Sequence, residues 1–172
     1  MQLDHYVHTL GRHLKARFGE RVHKLALNAA FTCPNRDGTL GRGGCTFCNV
    51  RAFSRTADIP LAEQLQQAKT GADRARKYLA YFQAYTNTYA EVATLRGLYK
   101  AALTSADVVG LCVGTRPDCV PDAVLDLLAG YRDQGYEVWL ELGLQSACDE
   151  TLARINRGHG WAAYADAVRR AR

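Results

Sequence analysis

The chain alternates segments that resemble β-strands with segments of helical periodicity, and this alternation constrains its fold more than any other feature. Strands are predicted over residues 24–29, 79–86, 107–114 and 135–144. Helices are predicted over residues 59–77, 89–106, 121–134 and 149–172, the last with a break at 158–160. Four such β–α units are typical of a parallel sheet covered by helices, so the sequence predicts an α/β fold.

The same pattern indicates one domain over residues 1–172. A leading helix is predicted over residues 4–18, where Val7, Leu10 and Leu14 share one face. Right-handed crossovers would curl the sheet towards a barrel or a doubly wound sheet, and four strands are too few to close a barrel. Because the chain ends inside a predicted helix, we expect it to be the N-terminal part of a longer protein.

In parallel α/β folds, the loops after the carboxyl ends of the strands build the functional site. Here a segment rich in polar or cysteine residues follows or ends each predicted strand. These segments are a loop over residues 31–55 and the shorter segments 86–88, 115–118 and 141–146. Packing alone does not explain four such motifs along one edge of a sheet, so the sequence predicts a binding site there.

The first of these segments, which we call the cysteine loop (residues 31–55), contains Cys33, Cys45 and Cys48. Eleven residues separate the first two cysteines and two separate the last two. A two-residue gap lets both thiolates face one metal centre. The glycines before Cys45 let the loop fold back, and nearby N–H groups can then approach the sulfur atoms of a cluster. The spacing therefore predicts a metal site.

The residues alone leave two interpretations of this metal site open. A structural zinc site usually takes four protein ligands, and His23, His159 or Cys119 would have to supply the fourth. A 4Fe–4S cluster held by three cysteines leaves one iron open to a substrate or cofactor. The Cys-Pro pair that opens the motif, the Gly-Gly pair before Cys45 and the aromatic Phe47 favour the cluster.

Three sequence blocks, in this order along the chain, resemble the radical S-adenosylmethionine superfamily. They are CPNRDGTLGRGGCTFCN at residues 33–49, GTRPDCVP at 114–121 and LELGLQSACDETLARINRGH at 140–159. Within the superfamily they are most similar to the branch related to the catalytic subunit of Elongator, and there to the bacterial YhcC family. The resemblance covers essentially the whole chain and implies a partial (βα) TIM-type barrel of the radical SAM kind.

The resemblance implies an enzyme in which Cys33, Cys45 and Cys48 bind a 4Fe–4S cluster. The open iron would bind S-adenosylmethionine, and an electron from a reductant such as flavodoxin or ferredoxin would cleave it to a 5′-deoxyadenosyl radical. Many members carry a Gly-Gly-Glu-like motif after the second strand, and this chain departs from that pattern. The expected contacts to S-adenosylmethionine are Thr86, Asn87, Arg116, Glu141, Gln145 and Arg157.

Several of these residues also have structural interpretations. Thr86 and Asn87 suit a plain turn between a strand and a helix. Arg116 either binds a carboxylate or holds a loop in place. Asp118 either belongs to the site or caps the helix that follows it, and the sequence favours neither. Arg157 either reaches the carboxylate of the cofactor or caps a helix end. These alternatives differ in which partners each side chain should have in the fold.

Glu141 and Gln145 are four residues apart on the predicted fourth strand and therefore share a face. An unpaired carboxylate in the apolar run around Glu141 would be costly, so we expect a partner for it. His159 is expected to be structural. The other cysteines match no ligand spacing: Cys112, Cys119 and Cys148.

Composition bears on the partners and the compartment. Lys and Arg total 22 and Asp and Glu total 17, and the net charge of +5 permits an anionic partner such as RNA without proving one. No segment is long and apolar enough to span a bilayer, and the first twenty residues lack the apolar core of a signal peptide. We therefore expect a cytoplasmic protein without a membrane partner.

Two alternatives to the radical enzyme follow from the same residues. The first is a zinc-stabilised nucleic-acid-binding module without catalysis, which rests on the Cys-x-x-Cys spacing and the net charge. The second is that these 172 residues alone are inactive, because the rest of a barrel would complete the site. The substrate is not readable from the sequence, and RNA as substrate rests on analogy with Elongator.

Overall fold

A computed structural model describes residues 6–49, 58–72 and 74–172. Four strands alternate with helices along the chain, and a single 3₁₀ turn over Pro117–Cys119 follows the third strand. The elements are α1 (Leu10–Phe18), β1 (Val22–Leu27), α2 (Pro34–Asp37), α3 (Leu61–Thr70), β2 (Lys77–Phe82), α4 (Val92–Ala102), β3 (Val108–Thr115), α5 (Asp122–Asp133), β4 (Glu137–Leu142), α6 (Asp149–Arg154) and α7 (Trp161–Ala171).

All four strands form one parallel sheet in the order β1–β2–β3–β4. Each strand therefore pairs with the next strand along the chain, as in a barrel that is built up unit by unit. The prediction of an α/β fold with four parallel strands is confirmed, and the sheet is consistent with part of a (βα) barrel. No helix in the part of the chain that the structure describes is long and apolar enough to cross a membrane.

The outer face of the sheet packs against α3, α4 and α5. Side chains at every second strand position, such as Leu25, Phe82 and Val113, form the main apolar core with residues of these helices. Tyr99 of α4 is fully buried there, and its ring lies 5.3 Å from that of Phe82. The period of two along each strand therefore separates this core from the opposite, inner face.

The inner face is covered by α1 at the amino ends of the strands. Leu14 of α1 packs against Leu79 and Cys112 of the sheet. Beside them lies a buried carboxylate, and we call it and its partners the Glu137 network. Its contacts are an ion pair of 2.9 Å with Arg17 and side-chain contacts of 3.2 Å with His13 and 2.7 Å with Trp139.

Close contact between β3 and β4 requires a glycine at position 110. Gly110 pairs with Glu137 in the parallel register, and a Cβ atom at residue 110 would lie 1.9 Å from the carbonyl oxygen of Glu137. Side chains never approach a backbone oxygen so closely, so this position of the sheet excludes every other residue type.

The leading helix is shorter than the predicted span of residues 4–18. It begins at Leu10 because Thr9 caps it, with the hydroxyl oxygen accepting a hydrogen bond of 3.3 Å from the amide of Arg12. Residues 1–5, 50–57 and 73 lie outside the described residues, so the start of that predicted span and the end of the predicted cysteine loop are not covered.

Other elements also differ from the predictions. The strand predicted over residues 79–86 spans Lys77–Phe82, and the helix predicted over residues 89–106 spans Val92–Ala102. The helix predicted to residue 77 ends at Thr70, followed by Gly71, because the chain must turn back for Lys77 to pair with Val22 in β1. The cysteine loop, predicted to be irregular, contains the single-turn helix α2, with Pro34 at its first position.

Candidate functional site

A cavity of about 440 Å³ opens at the carboxyl ends of the four strands. Its wall combines the cysteine loop with the segments that follow the other strands, which is where the sequence predicted a site. The three predicted metal ligands line it, and so do five of the six predicted cofactor contacts: Cys33, Cys45, Cys48, Thr86, Arg116, Glu141, Gln145 and Arg157. The topology therefore brings residues more than 100 positions apart to one place.

The three cysteines differ in exposure. Cys33 precedes α2 and is half-buried, Cys45 is 8 % exposed, and Cys48 is exposed. A tight turn joins the last two, with the amide of Cys48 donating a hydrogen bond of 2.9 Å to the carbonyl of Cys45. The amide of Gly44 donates to the carbonyl of Asn35 at 2.8 Å and anchors the returning loop. The loop thus presents the cysteines at three depths in the cavity wall.

Polar side chains contact two of the three sulfur atoms. The Sγ atom of Cys45 accepts hydrogen bonds of 3.6 Å from Asn35 Nδ2 and from Arg157 Nη1. The Sγ atom of Cys48 accepts one of 3.6 Å from Arg36 Nη1. Such donors stabilise negative charge on sulfur and orient the ligand.

Arg116 is almost completely buried and holds loops together. Its Nε and Nη2 atoms donate to both carboxylate oxygens of Asp118 at 2.9 and 2.8 Å, and Nη1 donates to the carbonyl of Arg157 at 2.8 Å. Burial would lower the pKa of Arg116, but the hydrogen bonds and charge of Asp118 outweigh it and raise that pKa. Of the two interpretations, the structure favours the loop-holding role, and it places Asp118 in this pair.

Glu141 has the partner that its position required. Lys24 Nζ donates to Glu141 Oε1, and the hydroxyl of Tyr81 donates to Oε2 at 2.9 Å. The ammonium also lies 4.6 Å from the centre of the Tyr81 ring. Burial, together with the hydrogen bond to Glu141, raises the pKa of Tyr81 to about 12. We call these three residues the Glu141 network.

Lys24 and Tyr81 were missed in the sequence analysis. Lys24 lies in β1 and Tyr81 in β2, and each is on the inner face of the sheet. The available signal was the period of two, because Lys24 and Glu141 are charged residues at alternate positions of strands that are rich in apolar residues.

Thr86 and Asn87 have different environments although they are adjacent. The Thr86 side chain lines the cavity, and its buried hydroxyl has no hydrogen-bond partner among the described residues. Asn87 Nδ2 donates to the carbonyls of Phe82 at 3.1 Å and Gly114 at 2.7 Å, which ties the end of β2 to that of β3. Asn87 is absent from the cavity lining that the described residues form. Its amide nitrogen therefore has a structural task.

Gln145 and His159 complete the predicted residues. Gln145 lines the mouth of the cavity and has the left-handed φ of 74°, which is uncommon for a residue other than glycine. The His159 ring contacts the carbonyl of Gly160 at 3.2 Å, and burial and the charge of Arg157 lower the pKa of that imidazole. His159 is therefore neutral near pH 7.

The remaining cysteines differ chemically from those of the cavity. Burial raises the pKa of Cys112 and that of Cys119 to about 12, so both remain protonated thiols at neutral pH. Cys148 is exposed at the start of α6, where hydrogen bonds from Thr151 lower its pKa. Cys112, Cys119 and Cys148 are not part of the cavity wall.

Among the described residues, the cavity wall offers three cysteines and none of the three candidates for a fourth zinc ligand. Across residues 6–49, 58–72 and 74–172, no group of three His, Cys, Asp or Glu side chains, the three cysteines included, is arranged to hold one ion. The candidates for a fourth zinc ligand, His23, His159 and Cys119, do not line the cavity. Three cysteines on one wall, each free to bind a different iron, match the ligand requirement of a cluster with one open position.

Comparison with known proteins gives one family and several relatives. The family model described as the Radical SAM superfamily matches residues 33–172. Protein YhcC of Escherichia coli (strain K12) is 62% identical over 166 residues, which is 95% of this chain and 54% of that protein. The uncharacterized protein YtqA of Bacillus subtilis is 44% identical over 173 residues, covering 96% of this chain and 53% of YtqA.

A third relative, the uncharacterized protein MJ0486 of Methanocaldococcus jannaschii, is 35% identical over 156 residues, covering 87% of this chain and 47% of that protein. The chain thus spans about half the length of the curated relatives it matches. These matches confirm the predicted resemblance to the superfamily and to YhcC. The predicted kinship with the Elongator branch stays a prediction.

Proposed function

Since this chain belongs to the radical SAM superfamily, we propose that it binds a 4Fe–4S cluster through Cys33, Cys45 and Cys48 and cleaves S-adenosylmethionine reductively to a 5′-deoxyadenosyl radical. One observation carries the proposal. The three cysteines line the same cavity as the polar residues at the ends of the second, third and fourth strands. A structural metal site would not need such a cavity, whereas a reaction on a bound cofactor does.

When bound, the cluster would supply the electron for cleavage and an open iron for the methionine part of S-adenosylmethionine. The residues of the cavity provide the other contacts. Thr86 offers a buried hydroxyl without a partner in the described part of the chain, and such a hydroxyl suits the ammonium group of an amino acid. Glu141 offers carboxylate oxygens held in place by Lys24 and Tyr81, which suit hydroxyl donors such as those of a ribose.

Arg116 and Asp118 bind each other and so position these groups. The atoms that form this pair do not contact the ligand. Their bidentate pair fixes the segment after β3, and the third arginine contact fixes the backbone at Arg157. A rigid wall of this kind holds the reacting groups in place and keeps water away from a reactive radical.

We also propose a partner and a substrate class. A one-electron reductant such as flavodoxin or ferredoxin would approach at Cys48, because this is the cysteine of the cavity that is exposed. An anionic substrate such as RNA is favoured by the net charge of +5 and by the resemblance to Elongator. The cofactors, by contrast, are proposed from the residues that line the cavity.

The test compares two cysteine variants of the full-length protein purified without oxygen. We expect iron and sulfide in the wild type and turnover of S-adenosylmethionine to 5′-deoxyadenosine with a reductant. Cys45→Ala should lower that turnover by more than about 100-fold, because it removes a ligand rather than an outer contact. Cys119→Ala, a buried thiol outside the cavity wall, is the matched control and should retain the cluster.

Two outcomes would contradict the proposed function. One is wild-type protein that contains one zinc and no iron, which would favour the nucleic-acid-binding module. The other is a Cys45→Ala variant that keeps its 5′-deoxyadenosine turnover.

A further inference from the structure

Arg157 is a buried cation that pairs with no carboxylate in the described ranges. Its residue is 7 % exposed, and none of the ion pairs in the described part of the chain includes it. Its Nη2 atom donates to the carbonyl of Gly143 at 2.6 Å, and its Nη1 atom donates to Cys45 Sγ at 3.6 Å. Its buried Nε has no partner among the residues that the structure describes. An uncompensated buried charge is costly, so this arrangement calls for an anion.

Several elements build the position of this guanidinium. The amide of Arg157 donates to the carbonyl of Leu152 in α6, and Arg116 holds its carbonyl. A Cβ atom at Gly143 would lie 2.9 Å from Arg157 Nη2, so the absence of a side chain there makes room for it. The guanidinium is therefore fixed against the cysteine loop, whereas a solvated arginine would move freely.

The contacts to sulfur are uneven among the three cysteines. Cys45 receives two donors, Arg157 and Asn35, and Cys48 receives one, Arg36. Asn35 is 1 % exposed and also donates to the carbonyl of Asn156, the neighbour of Arg157. The buried donors therefore converge on the most buried of the three sulfur atoms.

We propose that Arg157 is the counter-charge of the cluster, acting through Cys45, and does not bind the carboxylate of S-adenosylmethionine. This inference rests on the proposed function. Three thiolates exceed the charge of an oxidised cubane core by one negative charge, and a one-electron reduction adds a second. A fixed positive charge beside Cys45 stabilises the reduced form more than the oxidised form, and so raises the reduction potential. Arg157 is thus a positioning residue that makes reduction by the partner easier.

The test is a redox titration of the anaerobically reconstituted full chain, followed by the electron paramagnetic resonance signal of the reduced cluster. Arg157→Gln should lower the equilibrium constant for reduction about tenfold, which corresponds to about 59 mV for one electron. Arg157→Lys keeps the charge and should retain most of the wild-type potential. Arg154→Gln removes an exposed arginine of α6 and is the matched control, with no change expected.

The outcomes separate this inference from the proposed function. Wild-type protein that binds no iron and sulfide would overturn both. A wild-type cluster with an unchanged potential in Arg157→Gln would overturn only the inference, and weaker binding of S-adenosylmethionine in that variant would then indicate the carboxylate role. If Arg157→Gln cannot hold the cluster, an Arg157→Lys variant with near-wild-type potential would support the proposal. Loss of the cluster in both variants would overturn the inference, because the shape of the Arg157 side chain and not its charge would then be required.

Discussion

A glutamate lies near each end of β4, and the two glutamates have different surroundings. Glu137 and Glu141 are four residues apart on the inner face of the strand. At the amino end Glu137 is 5 % exposed and is enclosed by α1, where its network joins it to Arg17 and Trp139. At the carboxyl end Glu141 is half-buried, pairs with Lys24, and lines the cavity.

The difference lies in what each end leaves unpaired. At the carboxyl ends of the strands, the hydroxyl of Thr86 and the Nε atom of Arg157 are buried and have no partner among residues 6–49, 58–72 and 74–172. A buried polar atom without a partner needs an explanation, and a bound water, ion or ligand is one that fits an open cavity. At the amino end, Glu137 Oε2 also has no hydrogen-bond partner among the described residues, but it lies 2.9 Å from Arg17 Nη1 in an ion pair that attaches α1 to the sheet. The comparison therefore predicts that changes at the amino end affect stability and that changes at the carboxyl end affect binding.

The largest effect is expected at the amino end from Gly110→Ala. The new Cβ would lie 1.9 Å from the backbone oxygen of Glu137, and backbone cannot move aside as a side chain can. We expect β3 and β4 to separate locally and the free energy of unfolding to fall by more than about 4 kcal/mol. Urea denaturation followed by circular dichroism measures this.

Gly130→Ala is the control for that variant. It lies within α5 and a Cβ there would meet nothing within 4 Å, so it should be neutral or stabilise by about 0.5–1 kcal/mol. An unchanged midpoint in Gly110→Ala would show that the amino end of the sheet tolerates strain, contrary to the comparison.

An intermediate effect is expected from exchanging each carboxylate for an amide. Glu137→Gln removes the buried charge that pairs with Arg17 and should lower the free energy of unfolding by about 2–3 kcal/mol, with no change in S-adenosylmethionine affinity. Glu141→Gln should cost about 1 kcal/mol or less, because its pair with Lys24 is partly exposed, yet weaken cofactor binding about tenfold. Urea denaturation and calorimetric titration of the cluster-loaded protein measure the two quantities. The comparison would be wrong if Glu137→Gln weakened cofactor binding and Glu141→Gln caused the larger loss of stability.

The smallest effect is a difference in pH dependence. The folded pKa of Tyr81 is raised to about 12, so its contribution to stability is complete below about pH 10 and is lost as pH rises towards 12. The contribution is at most about 1 kcal/mol, because the side chain is only partly buried. Tyr81→Phe should therefore flatten the alkaline limb of a stability–pH curve.

Asp107, which precedes β3 at the amino end, is the counterpart of Tyr81. Burial would raise its pKa, but hydrogen bonds from Lys69 and Ser105 outweigh burial and lower it. Its contribution is therefore present above about pH 4 and is lost as pH falls through the lower folded pKa. Asp107→Asn should flatten the acid limb alone. An alkaline change in that variant would contradict this division between the two ends.

Sequence patterns predicted the order of elements well because strand and helix periods depend on local residues. They also predicted which edge of the sheet carries the site, since parallel strands place their carboxyl ends together. The end of α3 was wrong by seven residues, because the register between Lys77 and Val22 decides it and no local preference does. Register is a property of the assembled sheet, and one sequence does not display it.

The partners of the site residues were the least predictable part. The contacts of Glu141 with Lys24 and Tyr81 join residues 117 and 60 positions apart, and their existence depends on three strand pairings. The contact between Arg157 and Cys45 likewise spans 112 positions. Composition and spacing indicate that Glu141 needs a partner, but only the fold determines which residue that is.

The uneven exposure of the cysteines has a consequence for the lifetime of the site. In protein that has lost its metal, peroxide reaches exposed sulfur first, and oxidation beyond sulfenic acid is largely irreversible. Cys48 is exposed while Cys45 is 8 % exposed and enclosed by Asn35 and Arg157. Oxidative damage should therefore begin at Cys48, and the oxidation state of this one residue would decide whether a damaged molecule can be repaired by renewed assembly of its cluster.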